Sequence, residues 1–528
     1  MLKDEILLTK LLDNVTKYDK FVLYGAGYMA KELLRLLKTT RCYPSYCVVT
    51  TLDNDSKAID DIPVYELNDK VLELKTKNIL VIVATTSLYE KDIKDNLYSN
   101  NILNVTLISD YILMPLYKKT FEGIYKDKDI CWFVSRIKNW YFEENGIELD
   151  FLKTDQVTER DSKKIVIVVE NFAPRVLKIA RALKDKGRDV VVLLDRKVKE
   201  YAGKKFCSSL LQINIKHYFY TKIEELMFLI LQNKGAIIHI FTNAGNMYSA
   251  YILIKFQCYI GKVVFENYDL INGFYTNFDD DILMLERYCL ENAAGVCYRE
   301  YSLSFLTDIL GIHIQGKIIR FWDYCSDRIY TYIDKNEDRE LSLCYAGGVI
   351  TEEEYPDCPF GGFLQFGEQC EKNKCHLHIY PSVWDEKRYK AYIQKDKESI
   401  YFHFHRTVDY DELIYEISQY DYGITLTKDN IWEQEKSGYN TRYKYIYAGA
   451  NKYFDYLDAG IPIIAGLPLK MIQYLEEKDV LVNWTNGQYD FEYLKRNLKE
   501  MRHNVRQIKQ ELRIGNHINE LLDFYDAL

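Results

Sequence analysis

A chain of 528 residues is too long for one hydrophobic core, and its length points to about three domains. Hydrophobic residues make up 48% and charged residues 28%, which excludes fibrous and disordered classes, and a net charge of -9 gives no field that would gather nucleic acid. The longest apolar stretch, Ala250 to Phe265, is cut by Lys255 and Lys262 short of the ~18 residues of a membrane span.

The 12 cysteines are scattered, mostly inside apolar runs, and an amphipathic stretch from Met1 to Val15 stands where a secretory signal would be. Reduced thiols and a cytoplasmic location are therefore expected. The 46 tyrosines suit sugar-stacking surfaces, although codon bias explains them as well.

In chain order, FVLYGAGYMAKELLRLLK from Phe21 reads as a strand, a glycine turn and an amphipathic helix. With further strands at Cys47 to Val49, Ile79 to Ala84 and Val105 to Ile108, residues 1–118 are expected to form a small parallel α/β domain. Residues 119–160 read as a connection with helix around Trp132 to Glu144. A second series starts at Lys163 to Glu170, passes through a helix from Pro174 to Lys186 and a strand at Asp189 to Asp195, and adds strands at Ala236 to Phe241 and Lys262 to Glu266. It is expected to span 161–330. The third, 331–528, opens with LSLCYAGG at Leu341 and places strands at His376 to Tyr380, Ile400 to Phe404, Tyr422 to Thr425 and Pro462 to Ala465. Terminal helices follow from Phe491 to Tyr525. The expected fold class is α/β, three Rossmann-like doubly wound domains in a row.

The segments YFHFHRTVDYDELIYEISQYDYGITL (Tyr401 to Leu426) and NKYFDYLDAGIPIIAG (Asn451 to Gly466) resemble the donor half of GT-B glycosyltransferases. Many bacterial members show a helix like eLxxxisxyDxGi and then nKxfeYlaaGiPii. The resemblance implies that the last two domains form a GT-B pair with the terminal helix crossing back, and that the chain moves a sugar from a nucleotide-sugar donor to a polysaccharide, lipid-linked or other surface-glycan acceptor. No cofactor is required by that reading. A diphosphate needs backbone N–H groups at a helix start and a cation, which Asn451 and Lys452 supply. Asp455 falls at the second glutamate of the retaining motif, with Tyr456 beside it, while Tyr447 stands near the first, where a tyrosine does not replace a carboxylate. The turn His405, Arg406, Thr407, Val408 occupies the nucleobase position, and Gly347 and Gly348 follow a strand where backbone approaches a phosphate. The loop after them, VITEEEYPD, is acidic where family members carry Arg and Lys, so neutralisation is expected from Arg442, Lys444 or Arg406. The long polar loop from Asp429 to Gly449 reads as functional.

On the acceptor side, the turn at Asn171, Ala173 and Pro174, the loop Thr242 to Asn246 and the segment Glu266 to Gly273 end strands at the sheet rim. An inverting enzyme needs a base there, and Asp269, Glu266 and His239 are the candidates. The helix from Pro174 presents Arg175, Lys178, Arg181, Lys184 and Arg188 as a basic face, read either as solvated or as a peripheral contact with anionic lipid at the inner membrane face.

At the N-terminus, Gly25, Gly27, Tyr28 and Met29 with Asp53 resemble a dinucleotide fingerprint and the lead domains of bacterial sugar acetyltransferases. A bound nucleotide or a structural module is expected, and an NAD-dependent oxidoreductase or epimerase is the rival reading. A catalytically inactive nucleotide-sugar-binding subunit is the other. Cys358, Cys370, Cys375, His376 and His378 lack a CxxC pair, and alternation puts Cys375 opposite His376 and His378, so no metal is assigned. Alternation also puts His403 and His405 on one face of their strand.

Overall fold

The computed structural model describes residues 11–528 apart from short pieces and the segments 109–127, most of 146–160, 170–173, 196–209, 243–246, 275–279, 300–304, 329–338, 352–361 and 427–440. The chain divides into two compact units, Met1–Trp132 and Phe133–Leu528.

The first unit holds strands β1 (Lys20–Tyr24), β2 (Cys47–Val49), β3 (Ala58–Ile59), β4 (Ile62–Glu66), β5 (Ile79–Val83) and β6 (Val105–Leu107) in the order β3-β4-β2-β1-β5-β6. All pairs are parallel except β3 with β4. Period-two alternation sends Phe21 and Leu23 into one core and Val22 and Tyr24 into another, so both faces of β1 are covered. Helix Tyr28–Thr39 lays Met29, Leu33, Leu34 and Leu37 on the first of these. The short hairpin of β3 and β4 has no counterpart in the sequence reading, because its strands are only half buried and lack an apolar run.

The second unit carries two sheets. The first contains β7 (Lys164–Val169), β8 (Asp189–Asp195), β9 (Lys216–Tyr220), β10 (Ile237–Thr242), β11 (Val263–Asn267), β12 (Gly295–Tyr298) and β13 (Lys317–Arg320) in the order β13-β12-β11-β10-β7-β8-β9. The second contains β14 (Ser342–Gly347), β15 (His376–Pro381), β16 (Phe402–Phe404), β17 (Tyr422–Thr425), β18 (Ile463–Ala465) and β19 (Leu481–Asn483) in the order β16-β15-β14-β17-β18-β19. Both are parallel throughout, as continuous apolar strands such as KIVIVV require. The order reverses between β7 and β10 in one sheet and between β14 and β17 in the other, which opens a crevice at those strand ends. The three sheets are therefore three doubly wound Rossmann-like layers.

Helix Ile130–Asn145 begins just before the division, and in the second unit it buries Phe133 and Ile137, with the Phe133 ring 5.3 Å from that of Phe256. Helix Phe491–Glu511 packs Leu494 and Met501 into the core of the second sheet. After it, helix Ile514–Asp526 lies on helix Pro174–Asp185 and β13 of the first sheet. Ile518, Leu521, Leu522, Phe524 and Tyr525 are buried there, at about 1.5–3 kcal/mol of transfer free energy each. This return from the second sheet to the first is the crossing that the sequence resemblance implies. Among the described residues no helix is long and apolar enough to cross a membrane.

Candidate functional site

The crevice at the end of β14 is built around one glycine. Gly347 sits at φ +149, where side chains are strained, and a Cβ on it would collide with Cε of Lys452 and lie 3.0 Å from Nζ. Lys452 is the second residue of helix Asn451–Asp458, so its ammonium shares the space at a helix start with the backbone after β14. That ammonium stands 5.4 Å above the Tyr345 ring, and among the described residues it has no carboxylate partner. Gly348 is exposed, and the Ser382 N–H donates to the Gly347 carbonyl at 2.9 Å. Thr407 Oγ1 donates to the Pro381 carbonyl at 2.9 Å, which puts the end of β15 between Thr407 and Gly347. Arg406 is exposed with its guanidinium 4.1 Å from the Trp384 ring, and Val408 is partly buried beside it.

Across the crevice, Arg299 ties the two halves together. It donates to Asn451 Oδ1, reaches Asp323 at 3.1 Å and lies 3.7 Å from Asp269. Asp269 also pairs with Lys444 of helix Thr441–Tyr447 at 3.0 Å, and this helix packs on helix Ile271–Phe274. The Asp269 side chain keeps 31% of its exposure, so its carboxylate stands at the rim between two cations from opposite halves. Glu286 holds this segment in place by accepting the Ile271 N–H at 2.8 Å and the Asn272 N–H at 2.6 Å, with the Asn267 amide beside them.

Several sequence-based candidates have other work. Glu266 is fully buried and held by Arg175 through Nε at 2.8 Å and Nη2 at 3.1 Å. Burial alone would raise its pKa, yet Arg175 and His239 together outweigh burial and hold it well below the carboxylate range. Asp269 is also paired, but it keeps access to the rim, whereas Glu266 is closed off from any substrate. His239 is also fully buried. It lies 2.6 Å from the Tyr525 hydroxyl and 3.3 Å from Glu266, and burial lowers its pKa. Tyr456 is a core residue whose hydroxyl donates to the Ile424 carbonyl at 3.0 Å while its ring fills the space that a Cβ on Gly423 would need. Asp455 accepts from Tyr410 at 2.6 Å and faces Lys178 at 3.6 Å, and burial raises its pKa.

Arg175 and Lys178 of the predicted basic face of helix Pro174–Asp185 turn inward, while Arg181, Lys184 and Arg188 stay partly exposed. Arg175 donates to the Phe321 carbonyl at 2.6 Å and to the Trp322 carbonyl, and Lys178 reaches Asp458 at 3.0 Å and the Tyr324 carbonyl at 3.0 Å. Asp458 also accepts the Ser326 N–H at 2.9 Å, and Lys509 donates to its carbonyl at 2.8 Å. These groups form a buried ionic seam between the halves, which withdraws Arg175 and Lys178 from any surface contact. Sequence reasoning passed over Arg299, Asp323, Asp458 and Glu286, whose only signal is a charge inside an otherwise apolar context.

In the first unit, Gly25 is required for packing: at φ +122 its Cβ would stand 2.8 Å from the Ala84 carbonyl, and its N–H donates to Val48 at 2.8 Å. Gly27 is exposed with open space about it, whereas Met29 is a core residue and not a ligand contact. Asp53, the Tyr28 and Arg442 side chains, Asn171 and Ala173, residues 243–246, Cys358 and the stretch 429–440 lie outside the described residues.

No family model matches the chain, and no curated protein matches it. Among solved structures it is similar to AviGT4, a glycosyltransferase involved in avilamycin A biosynthesis, with 10% identity, TM-score 0.40 and coverage of 69% of this chain and 97% of that one. It is also similar to Arabidopsis thaliana UGT89C1 complexed with UDP, with 10% identity, TM-score 0.40 and coverage of 68% and 99%. A third is S. aureus MnaA with UDP, with 10% identity, TM-score 0.41 and coverage of 68% and 94%.

Proposed function

We propose that the second unit transfers a glycosyl group from a nucleoside-diphosphate sugar to a hydroxyl acceptor. The observation that carries this reading is the Lys452 ammonium packed against Gly347 at a helix start, half-buried and without a carboxylate partner among the described residues. A cation there without a protein counter-ion is a place for an anion, and a diphosphate leaving group is the anion that the fold presents to such a crevice. In the reaction the bond from the anomeric carbon to the diphosphate oxygen breaks and a bond to the acceptor oxygen forms. The acceptor proton passes to a base, for which Asp269 is the candidate at the rim. Lys444 holds that carboxylate at 3.0 Å, and a diphosphate entering the crevice competes for Lys444 and unmasks Asp269. A polysaccharide or lipid-linked acceptor, and action at the inner face of a membrane, belong to this proposal.

Calorimetric titration with UDP tests it. Lys452→Ala is expected to leave thermal unfolding unchanged and to weaken binding by about 1–3 kcal/mol, roughly 5- to 150-fold in Kd. Equal affinity in the wild type and the variant would overturn the assignment.

A further inference from the structure

The second sheet carries a group of imidazoles that the transferase reading does not use. His376 and His378 alternate on one face of β15, His403 does so on β16, and the parallel register sets His378 directly beside His403. Their rings stack, with centroids 4.2 Å apart for His378 and His403 and 5.2 Å for His376 and His403. His376 Nδ1 lies 3.0 Å from His403 Nε2. Two nitrogens on one zinc ion, each bound at about 2.0–2.1 Å with tetrahedral angles, stand about 3.3 Å apart, so the spacing of this pair is already close to that of a metal site. One nitrogen from each of His376, His378 and His403 lies within 4.8 Å of the others.

The opposite ring nitrogens are engaged as well. His376 Nε2 faces Glu340 at 3.2 Å, His378 Nδ1 faces His405 Nε2 at 2.9 Å, and His403 is hydrogen-bonded to the Ile400 backbone. Partners of this kind fix the tautomer and the ring direction of metal-binding histidines. The three rings line a cavity of about 640 Å³ together with Tyr380, Tyr420 and Arg339. His376 opens β15, whereas Pro381 at its far end pairs with Gly347, so the cluster begins about 16 Å of strand away from the diphosphate crevice.

We propose that His376, His378 and His403 bind a divalent transition ion of the zinc type, with its remaining position open to the cavity. Three imidazoles without a thiolate suit zinc, copper or nickel and not magnesium or calcium, and an incomplete protein shell leaves room for water or an anion. In the second group of titratable side chains, Arg175 already holds Glu266 and Cys297, and Tyr525 holds His239, so it is no competitor.

The test is titration of the chelator-treated full chain with zinc chloride, followed by cobalt(II) as a spectroscopic probe. One zinc per chain at micromolar affinity or tighter is expected, with a visible cobalt band of nitrogen and oxygen ligation. His378→Ala and His403→Ala should each weaken zinc by about 100-fold or more, and the exposed Glu340→Gln by about tenfold, with cooperative unfolding retained. Zinc uptake equal in wild type and His403→Ala, near-ultraviolet thiolate-to-cobalt absorption, or no uptake below about 1 mM would each overturn the site. The wild-type titration decides even if an alanine variant does not fold. UDP binding does not enter these readouts, so failure here leaves the transferase reading standing.

Discussion

The second unit places two chemically opposite groups at strand ends of its two sheets. The end of β14 is a glycine with a lysine laid over it and no carboxylate beside that lysine among the described residues, whereas near the end of β11 stands Glu266, locked into Arg175, whose remaining N–H groups go to backbone carbonyls. Both lie at strand ends where α/β sheets bind ligands. Topology thus selects the place and not the chemistry: one end leaves a lysine without a carboxylate partner among the described residues, and the other spends its charge on joining the halves. The first unit adds a third case, since Gly25 at the end of β1 serves the close approach of the Ala84 backbone.

The largest effect is expected where the seam is cut. Arg175→Met leaves Glu266 buried and unpaired, and should cost about 3–5 kcal/mol in denaturant unfolding. The same pair sets an acid limit. The folded pKa of Glu266 is depressed, so its contribution is fully present above the unfolded value of about 4.5 and is lost as pH falls through and below it. The unfolding midpoint should drop between pH 5 and pH 3, and Glu266→Gln should flatten that drop. A loss under about 1 kcal/mol in Arg175→Met would show that the seam is solvated and that the contrast between the two strand ends is false.

A smaller effect belongs to the other end. Gly347→Ala adds a methyl at a left-handed φ and against the Lys452 side chain, so it should cost about 1–3 kcal/mol of stability. It should also weaken UDP by displacing Lys452. Full affinity in a folded Gly347→Ala protein would mean that the glycine serves the turn alone.

How much of this was legible follows from range along the chain. The strands, the glycine turn of β14 and the lysine of helix Asn451–Asp458 were readable because each is a local pattern, and the two were paired through a motif resemblance. Arg175 and Lys178 were misread as surface because they repeat with Arg181 at helical spacing on one face, the mark of a solvated stripe. Their partners Glu266, Asp323 and Asp458 come from distant strand ends and helices that no local period announces. The histidine cluster was half visible, with His376 and His378 sharing a face. What joins it is the register of β15 with β16, which is set by pairing and not by either strand alone.

The smallest effect is expected at the crossing helix, where the two halves also meet through a surface ion pair. Arg188 Nη2 lies 2.7 Å from Asp526 Oδ2, with 46% of the aspartate side chain exposed, so water and salt screen the pair. Nearby, Leu521 is fully buried, and Phe524 fills the space that a Cβ on Gly295 would take. If the helix is held by that apolar contact, Arg188→Ala should cost under about 1 kcal/mol at low salt and nothing measurable at high salt. Leu521→Ala, as the internal scale, should cost about 2–5 kcal/mol at either ionic strength. An Arg188→Ala loss as large as that of Leu521→Ala would mean that the helix return depends on charge, like the buried seam, and would place it on the other side of the contrast between the two strand ends.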